Sequence, residues 1–241
     1  MKKKGKKILL FISILLLLSA AVIWSIISPL LAMDPAETEK IAGTCITAIN
    51  NGMNSVYMIE SNEGYVMVDA GSDPDALLNA LEETDIDRSG VAHILLTHAD
   101  YDHVASLALF PNAKIYINED EVQMINGRTK RGNDFNELPD GIALDSLILL
   151  KDEQKLEVGG RTIRCVKAPG HTPGSMVYVI DGRYLFTGDA FMVKANTIST
   201  HPFTMDKAAA NNTIKMLNEI VKGTELTLTS HYGYFGSAEL L

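Results

Sequence analysis

The sequence predicts a mixed α/β domain that follows a hydrophobic amino-terminal segment. Short apolar runs separated by Asn-Gly, Gly-Gly and Asp-Gly pairs are typical of strands joined by tight turns. Other stretches carry apolar residues at helical spacing. The chain has 241 residues, 46% hydrophobic and 21% charged, which suits one globular domain of ordinary size and excludes collagen, coiled-coil and disordered chains.

Strands and helices are mixed along the chain after residue 40, with no internal repeat. The predicted strands are Cys45–Ile49, Val56–Glu60, Tyr65–Val68, Val91–Thr97, Lys114–Ile117, Leu147–Leu150, 156–158, Thr162–Lys167, Met176–Ile180, Tyr184–Thr187 and Leu226–Thr229. The predicted helices are Pro74–Leu81, His103–Phe110, Asn118–Ile125 and Met205–Val221. We therefore expect one domain over residues 41–241, joined by a linker at 34–40 to an amino-terminal segment at 1–33.

The amino-terminal segment has the composition of a membrane anchor. Five lysines fall among the first seven residues, and the run Ile8–Ala32 contains no charge over 25 residues. A helix of that length spans about 37 Å, enough to cross a bilayer. We predict a single transmembrane helix with the lysines in the cytoplasm and the domain outside the cell membrane. A cleaved signal peptide, which would leave a secreted domain, is the alternative.

Charge and cysteine content exclude several functions. The net charge is -9 despite the amino-terminal lysines, so the remaining domain is strongly acidic and nucleic acid is excluded as a partner. Cys45 and Cys165 lie too far apart in sequence for a close-spaced metal pair. We expect two buried thiols, with one disulfide as the alternative if the domain is exported.

Histidines and aspartates cluster where predicted strands end. His98, Asp100, Asp102 and His103 fall within six residues directly after a predicted buried strand. Three further donors, His171, Asp189 and His231, also follow strands. Zinc and similar ions need several nitrogen or oxygen donors that converge at about 2.0–2.2 Å. The pattern therefore predicts a metal site built from loops at strand ends.

These motifs resemble those of the metallo-β-lactamase superfamily, whose signature is His-x-His-x-Asp-His, then Gly-His-Thr-x-Gly, an Asp and a late His. Asn54–Tyr57 and Val68–Gly71 resemble its early strands. The resemblance implies an αββα four-layer sandwich with a dinuclear metal site at one edge of its sheets. It implies the following ligands: His98 and His171 for the first metal, Asp102, His103 and His231 for the second, and Asp189 bridging both.

Asp100 departs from the family pattern, because it stands where the second histidine usually lies. Carboxylate oxygen favours harder ions than imidazole does. The predicted cofactors are therefore two divalent ions, zinc first, with manganese or iron as alternatives. The additional negative charge brings a site with two divalent ions and a bridging hydroxide to neutrality. We expect a small-molecule substrate that is neutral or singly charged.

The resemblance implies a hydrolase in which a metal-activated hydroxide attacks a small ester, lactone, amide or phosphodiester. Asp102 would orient the attacking water as the catalytic residue. Candidate substrate-binding residues lie beside the predicted ligands or in a nearby loop: Tyr101, His201, Tyr232 and Tyr234. Packing is the alternative role for the tyrosines, and solvent exposure for His201. An iron-dependent redox enzyme and a non-catalytic metal-binding protein are the alternative functions, and the oligomeric state stays open.

Overall fold

A computed structural model describes the backbone of residues 2–132 and 137–240, and the side chains of residues 11–24, 27–28, 31–132 and 137–240. The chain divides into two units, Met1–Met33 and Asp34–Leu241. The first contains helix α1, Lys2–Leu30. Over the residues described, no helix is both long enough and apolar enough to cross a membrane. The predicted transmembrane segment thus has no support from the structure, and the extracytoplasmic location stays a prediction.

The second unit begins with residues predicted as a linker. Asp34 donates its backbone N–H to the carbonyl of His231 at 2.8 Å. Five residues further on, the chain forms a short edge strand that pairs antiparallel with the next strand. These residues are therefore hydrogen-bonded to the α/β unit.

A seven-stranded sheet forms the first half of this unit. Its strands lie in chain order; the first three neighbouring pairs are antiparallel and the last three are parallel, so that the fourth strand has one neighbour of each kind. They are β1 Glu39–Lys40, β2 Ile46–Asn51, β3 Asn54–Ser61, β4 Gly64–Val68, β5 Val91–Leu95, β6 Lys114–Asn118 and β7 Ile148–Leu150.

A six-stranded sheet and a separate hairpin form the second half. The strands are β8 Lys155–Val158, β9 Arg161–Lys167, β10 Met176–Ile180, β11 Tyr184–Phe186, β12 Met192–Lys194, β13 Thr197–Ser199, β14 Leu226–Leu228 and β15 Tyr234–Gly236. The sheet order is β15-β14-β11-β10-β9-β8, while β12 and β13 pair with each other. Only β11 and β14 are parallel neighbours in this sheet.

Four α-helices connect or cover the sheets. They are α2 Pro74–Glu83, α3 Tyr101–Val104, α4 Val122–Ile125 and α5 Lys207–Gly223. Asp73 and Asp206 cap the two longer helices, each accepting two backbone N–H groups at the helix start, as N-caps do. The helix predicted over His103–Phe110 is wrong in extent, because the chain forms only the single turn of α3 and then a 3₁₀ turn.

The two sheets pack face to face around the main core. Tyr57 of β3 and Phe186 of β11 meet edge to face with ring centroids 5.5 Å apart. On the outer face of the first sheet, Leu77 of α2 is buried in a second cluster. On the outer face of the second sheet, Val166 lines a depression together with Met216 of α5. The layers therefore follow the helix–sheet–sheet–helix order that the sequence predicts.

Candidate metal centre

Four strands deliver polar side chains to one buried cluster. The loop after β5 carries His98 and Asp100, and the loop after β9 carries His171. Asp189 lies three residues after β11, and His231 lies three residues after β14. Asp102 and His103, on α3, complete the cluster. The structure thus brings all seven predicted ligands together, from both sheets.

The donor atoms form two groups. In the first, Asp100 Oδ2 lies 3.4 Å from His98 Nε2 and 3.0 Å from His171 Nε2. In the second, Asp102 Oδ2 lies 3.4 Å from His231 Nε2 and 3.8 Å from His103 Nε2.

Asp189 lies between the two groups. Its Oδ2 is 3.5 Å from His171 Nε2 and 3.2 Å from His231 Nε2. Its Oδ1 is 3.7 Å from His103 Nε2. This is the place that a bridging carboxylate requires, since one residue contacts a donor of each group.

These separations fit divalent metal ions. Ligand bonds of 2.0–2.2 Å at tetrahedral or octahedral angles place neighbouring donors about 3–3.6 Å apart. Within the described part of the chain, three buried donor atoms have no hydrogen-bond partner: Nε2 of His98, Nε2 of His103 and Oδ1 of Asp189. Buried polar atoms in native proteins are nearly always satisfied. A cation among these atoms would satisfy them.

Hydrogen bonds behind the histidines fix their orientation. His103 donates from Nδ1 to Asp69 Oδ2 at 2.8 Å, and His231 Nδ1 contacts the carbonyl oxygen of Met53 at 2.6 Å. A histidine that bonds through one ring nitrogen presents the other to a metal in the ligating tautomer. Both Nε2 atoms face the carboxylates, so the geometry is that of oriented ligands.

Asp69 is a functional residue to which the sequence motifs assigned no role. Its carboxylate accepts from the Thr97 backbone N–H at 2.8 Å and from the Thr97 hydroxyl, besides His103. Its backbone has φ 59°, a left-handed conformation that aspartate tolerates better than most residues. The signal in the sequence is its position: an acid followed by Ala-Gly directly after the buried strand β4.

Glu121 is a second residue that the sequence did not reveal. This fully buried carboxylate accepts from the backbone N–H of Ala99 at 3.0 Å and of Gly174 at 2.9 Å. It also accepts from the Thr172 hydroxyl at 2.8 Å. Glu121 therefore ties the loop that carries His98 to the loop that carries His171.

The carboxylates of the cluster are held ionised. Burial opposes their charge, but the neighbouring imidazoles keep the pKa values of Asp100, Asp102 and Asp189 below the usual range. Burial lowers the pKa of His171, and it lowers the pKa of His201 to about 3 despite the nearby carboxylates. Burial opposes the charge of His103 and His231 as well, but the neighbouring carboxylates raise the pKa of His103 and raise the pKa of His231 to about 10. The metal-free site therefore presents anionic oxygens, and these two imidazoles would release a proton on binding a metal ion.

Arg131 is the cation nearest to Asp100 among the described contacts. Its Nη2 lies 2.6 Å from Asp100 Oδ2 and 3.2 Å from His171 Nε2, and its Nη1 donates to the carbonyl of Phe203. Arg131 lies in a polar segment outside the predicted strands and helices. The side chain reaches into the site and offsets the charge of Asp100.

The candidate substrate-binding residues differ in their surroundings. Tyr232 is buried beside His231, and its hydroxyl has no hydrogen-bond partner. Tyr101 is 68% exposed on the turn that carries Asp102. Tyr234 donates its hydroxyl to Glu39 at 2.8 Å. The alternative of solvent exposure for His201 is wrong: the side chain is 1% exposed and its ring lies among the cluster.

Comparison with known proteins agrees with this fold. The model of the metallo-β-lactamase superfamily matches residues 49–231, and the chain belongs to that family. YobT of Bacillus subtilis is 35% identical over 147 residues, 57% of this chain and 62% of YobT. BaeB of Bacillus velezensis, named a probable polyketide biosynthesis zinc-dependent hydrolase, is 33% identical over 141 residues. That match covers 56% of this chain and 54% of BaeB.

The chain thus spans between about half and two thirds of the length of these relatives. Among solved structures, the B3 metallo-β-lactamase BLEG-1 has a TM-score of 0.63 and 23% identity. The match covers 80% of this chain and 95% of that protein. At this identity the likeness concerns the fold.

Proposed function

We propose that the protein is a metal-dependent hydrolase of small acyl compounds, with carboxylic esters and lactones foremost. The observation that carries the proposal is the pair of donor groups joined by Asp189, each the size of a divalent ion's coordination shell. The relative BaeB is named a zinc-dependent hydrolase, which supports zinc as the first ion to test. When bound, such ions lower the pKa of a water molecule towards neutrality and polarise a carbonyl group.

The chain's own residues would orient the reactants. Asp102 is 37% exposed and therefore accessible to a water molecule. Asn54 donates to both its side-chain and backbone oxygens at 3.1 Å and holds it in place. Asp102 would accept a hydrogen bond from the attacking water and orient it. Tyr232, whose hydroxyl is buried and unpaired, would donate a hydrogen bond to the oxyanion that develops.

The charges of the site favour a neutral or singly charged substrate. Asp100, Asp102 and Asp189 offset most of the charge of two divalent ions. Arg131 forms an ion pair with Asp100 at 2.6 Å and returns one positive charge to the site, enough to balance a single negative charge on the substrate. A carbonyl substrate, which develops a single negative charge during attack, needs less compensation than a phosphoryl group does.

The first experiment is to measure metal content and hydrolysis on the full chain. We expect two equivalents of zinc or manganese after purification without chelators, and hydrolysis of short-chain esters or lactones that stops when the metal is removed. A stoichiometric iron content without hydrolysis would favour the redox alternative. A chain that binds no metal when zinc, manganese and iron are supplied would contradict the proposal.

A tyrosine pair tests the role of the oxyanion donor. Tyr232→Phe should lower kcat by about 10²-fold with little change in KM, because the lost hydrogen bond is made in the transition state. The control is Tyr234→Phe, which removes a hydroxyl bonded to Glu39 outside the cluster and should leave kcat unchanged. Equal rates for the two variants would remove Tyr232 from the mechanism.

A further inference from the structure

His201 is a buried histidine whose two ring nitrogens both lack a hydrogen-bond partner among the residues that the structure describes. The side chain is 1% exposed. The other five histidines of the chain each have at least one ring nitrogen in a hydrogen bond. A buried imidazole without any partner carries an uncompensated cost of desolvation. Something with affinity for a nitrogen lone pair is therefore expected beside it.

The ring lies against the metal-binding cluster. Its Nε2 is 3.6 Å from Asp189 Oδ2, and its centroid is 4.8 Å from that of His171. His171, Asp189 and His201 each have one donor atom that lies within 4.8 Å of a donor atom of the other two. A cation bound to His171 and Asp189 would thus have His201 within reach.

Backbone hydrogen bonds fix the position of the segment after His201 relative to the loop that carries His171. Met205 donates its N–H to the carbonyl of His171 at 3.2 Å, and Asp206 donates to the carbonyl of Gly170 at 2.9 Å. Asp206 also caps α5. The segment from His201 to the start of α5 is therefore docked on that loop, so that the two imidazoles have a defined separation.

The first donor group lacks one imidazole relative to the family pattern, because Asp100 replaces a histidine. We propose that His201 supplies the missing imidazole as an additional ligand of the cation held by His98, Asp100 and His171. The inference depends on the metal centre of the proposed function, but its tests measure metal binding and need no substrate. It gives His201 a role that differs from contact with substrate.

Removal of the imidazole tests the proposal. We expect His201→Ala to weaken the binding of one of the two zinc ions by at least about tenfold, as loss of support for a ligand already costs that much. Binding of the other ion should not change. Chelator competition measures both affinities, and the visible spectrum of the cobalt-loaded chain reports the altered ligand set. Tyr234→Phe, which removes a hydroxyl bonded to Glu39 outside the cluster, should keep both affinities.

A rescue variant separates ligation from packing. The Asp100→His substitution places an imidazole in the first group at position 100. The double variant with Asp100→His and His201→Ala should therefore recover the lost zinc affinity. Circular dichroism and thermal melting verify that each variant is folded. Unchanged zinc binding in His201→Ala, or a loss that Asp100→His does not restore in a folded chain, would overturn the proposal.

A measurement on the unaltered chain requires no variant. In the zinc-loaded chain with ¹⁵N-labelled histidine rings, we expect metal-bound nitrogen signals from five of the six histidines, all except His93. His93 bonds to Tyr116 and Glu63 instead. Four such signals would overturn the role of His201 and leave the proposed hydrolase intact. None at all would overturn both.

Discussion

At the scale of single residues, Asp69 controls the site without belonging to the ligand set. It accepts hydrogen bonds from Thr97 and from Nδ1 of His103. The second bond places the lone pair of His103 on Nε2, where it faces Asp102 and Asp189. The orientation of His103 thus depends on a carboxylate that lies 34 residues earlier in the chain, directly after β4.

Asp69→Asn should weaken metal binding at the second group by about 10–100-fold. The asparagine oxygen can still accept a hydrogen bond, but the NH₂ group is a donor and would face Thr97 or His103, which are donors as well. Asparagine also tolerates the left-handed backbone of this position, φ 59°, so backbone strain does not confuse the result. Chelator competition on the folded variant measures the change.

Asp73→Asn is the matched control for this change. Asp73 caps α2 through its side chain, and asparagine is an equally good N-cap. Zinc affinity and thermal stability should therefore stay near those of the unaltered chain. If Asp69→Asn bound both ions as tightly as this control, the proposed role of Asp69 in orienting His103 would be wrong.

At the scale of elements, the loop that carries His171 packs closely against the backbone of Glu121, whose side chain joins it to the loop that carries His98. A Cβ atom at Gly174 would lie 2.2 Å from the backbone nitrogen of Glu121 and 2.5 Å from its Cα. Glycine at this position therefore permits the approach that lets Glu121 accept from the Gly174 N–H. The requirement concerns space, since Gly174 is absent from the residues with positive φ.

Gly174→Ala should lower the free energy of unfolding by about 1–3 kcal/mol, the usual cost of overpacking. It should also weaken zinc binding, because the loop that carries His171 must move. Urea denaturation monitored by circular dichroism measures the first effect. Gly223→Ala is the control, because an added Cβ there meets nothing within 4 Å. Similar stability of the two variants would contradict the close approach.

The sequence predicts elements well where the signal is local. The hairpin turns at Gly159-Gly160 and Asp181-Gly182 join β8 to β9 and β10 to β11 as expected. The edge strands β1 and β15 escape prediction because they have two and three residues, too few to show an apolar alternation, and are defined only by their backbone pairing with the neighbouring strand. Local apolar patterns contain no information about such pairing.

The same distinction applies to the site. Its seven predicted ligands follow from a motif and from strand ends, and the structure places them together. Glu121 and His201 belong to no motif. Glu121 contacts residues that lie 22 and 53 positions away in sequence, and His201 contacts the ring of His171 from a different loop. Burial of a polar side chain is a property of the tertiary structure, which residue order alone does not reveal.

At the scale of the whole molecule, the metal centre connects the two sheets. His98 and Asp100 follow β5 of the seven-stranded sheet, whereas His171, Asp189 and His231 follow strands of the six-stranded sheet. Separation of the sheets on unfolding would disperse the ligands. A metal that binds the folded chain alone must therefore stabilise the packing of the sheets.

Cys165 allows this coupling to be measured. Cys165 is buried in the core between the sheets, and burial raises the pKa of its thiol to about 12. A raised pKa keeps the thiol protonated and unreactive at pH 8.

Iodoacetamide should therefore modify the partly exposed Cys45 in the folded chain, and Cys165 only when the sheets separate. Free zinc at 100 times its dissociation constant should slow Cys165 modification by about hundredfold, while Cys45 serves as the internal control. Mass spectrometry of quenched samples follows both sites, and modification of Cys165 at a rate independent of zinc would show that the centre does not connect the sheets.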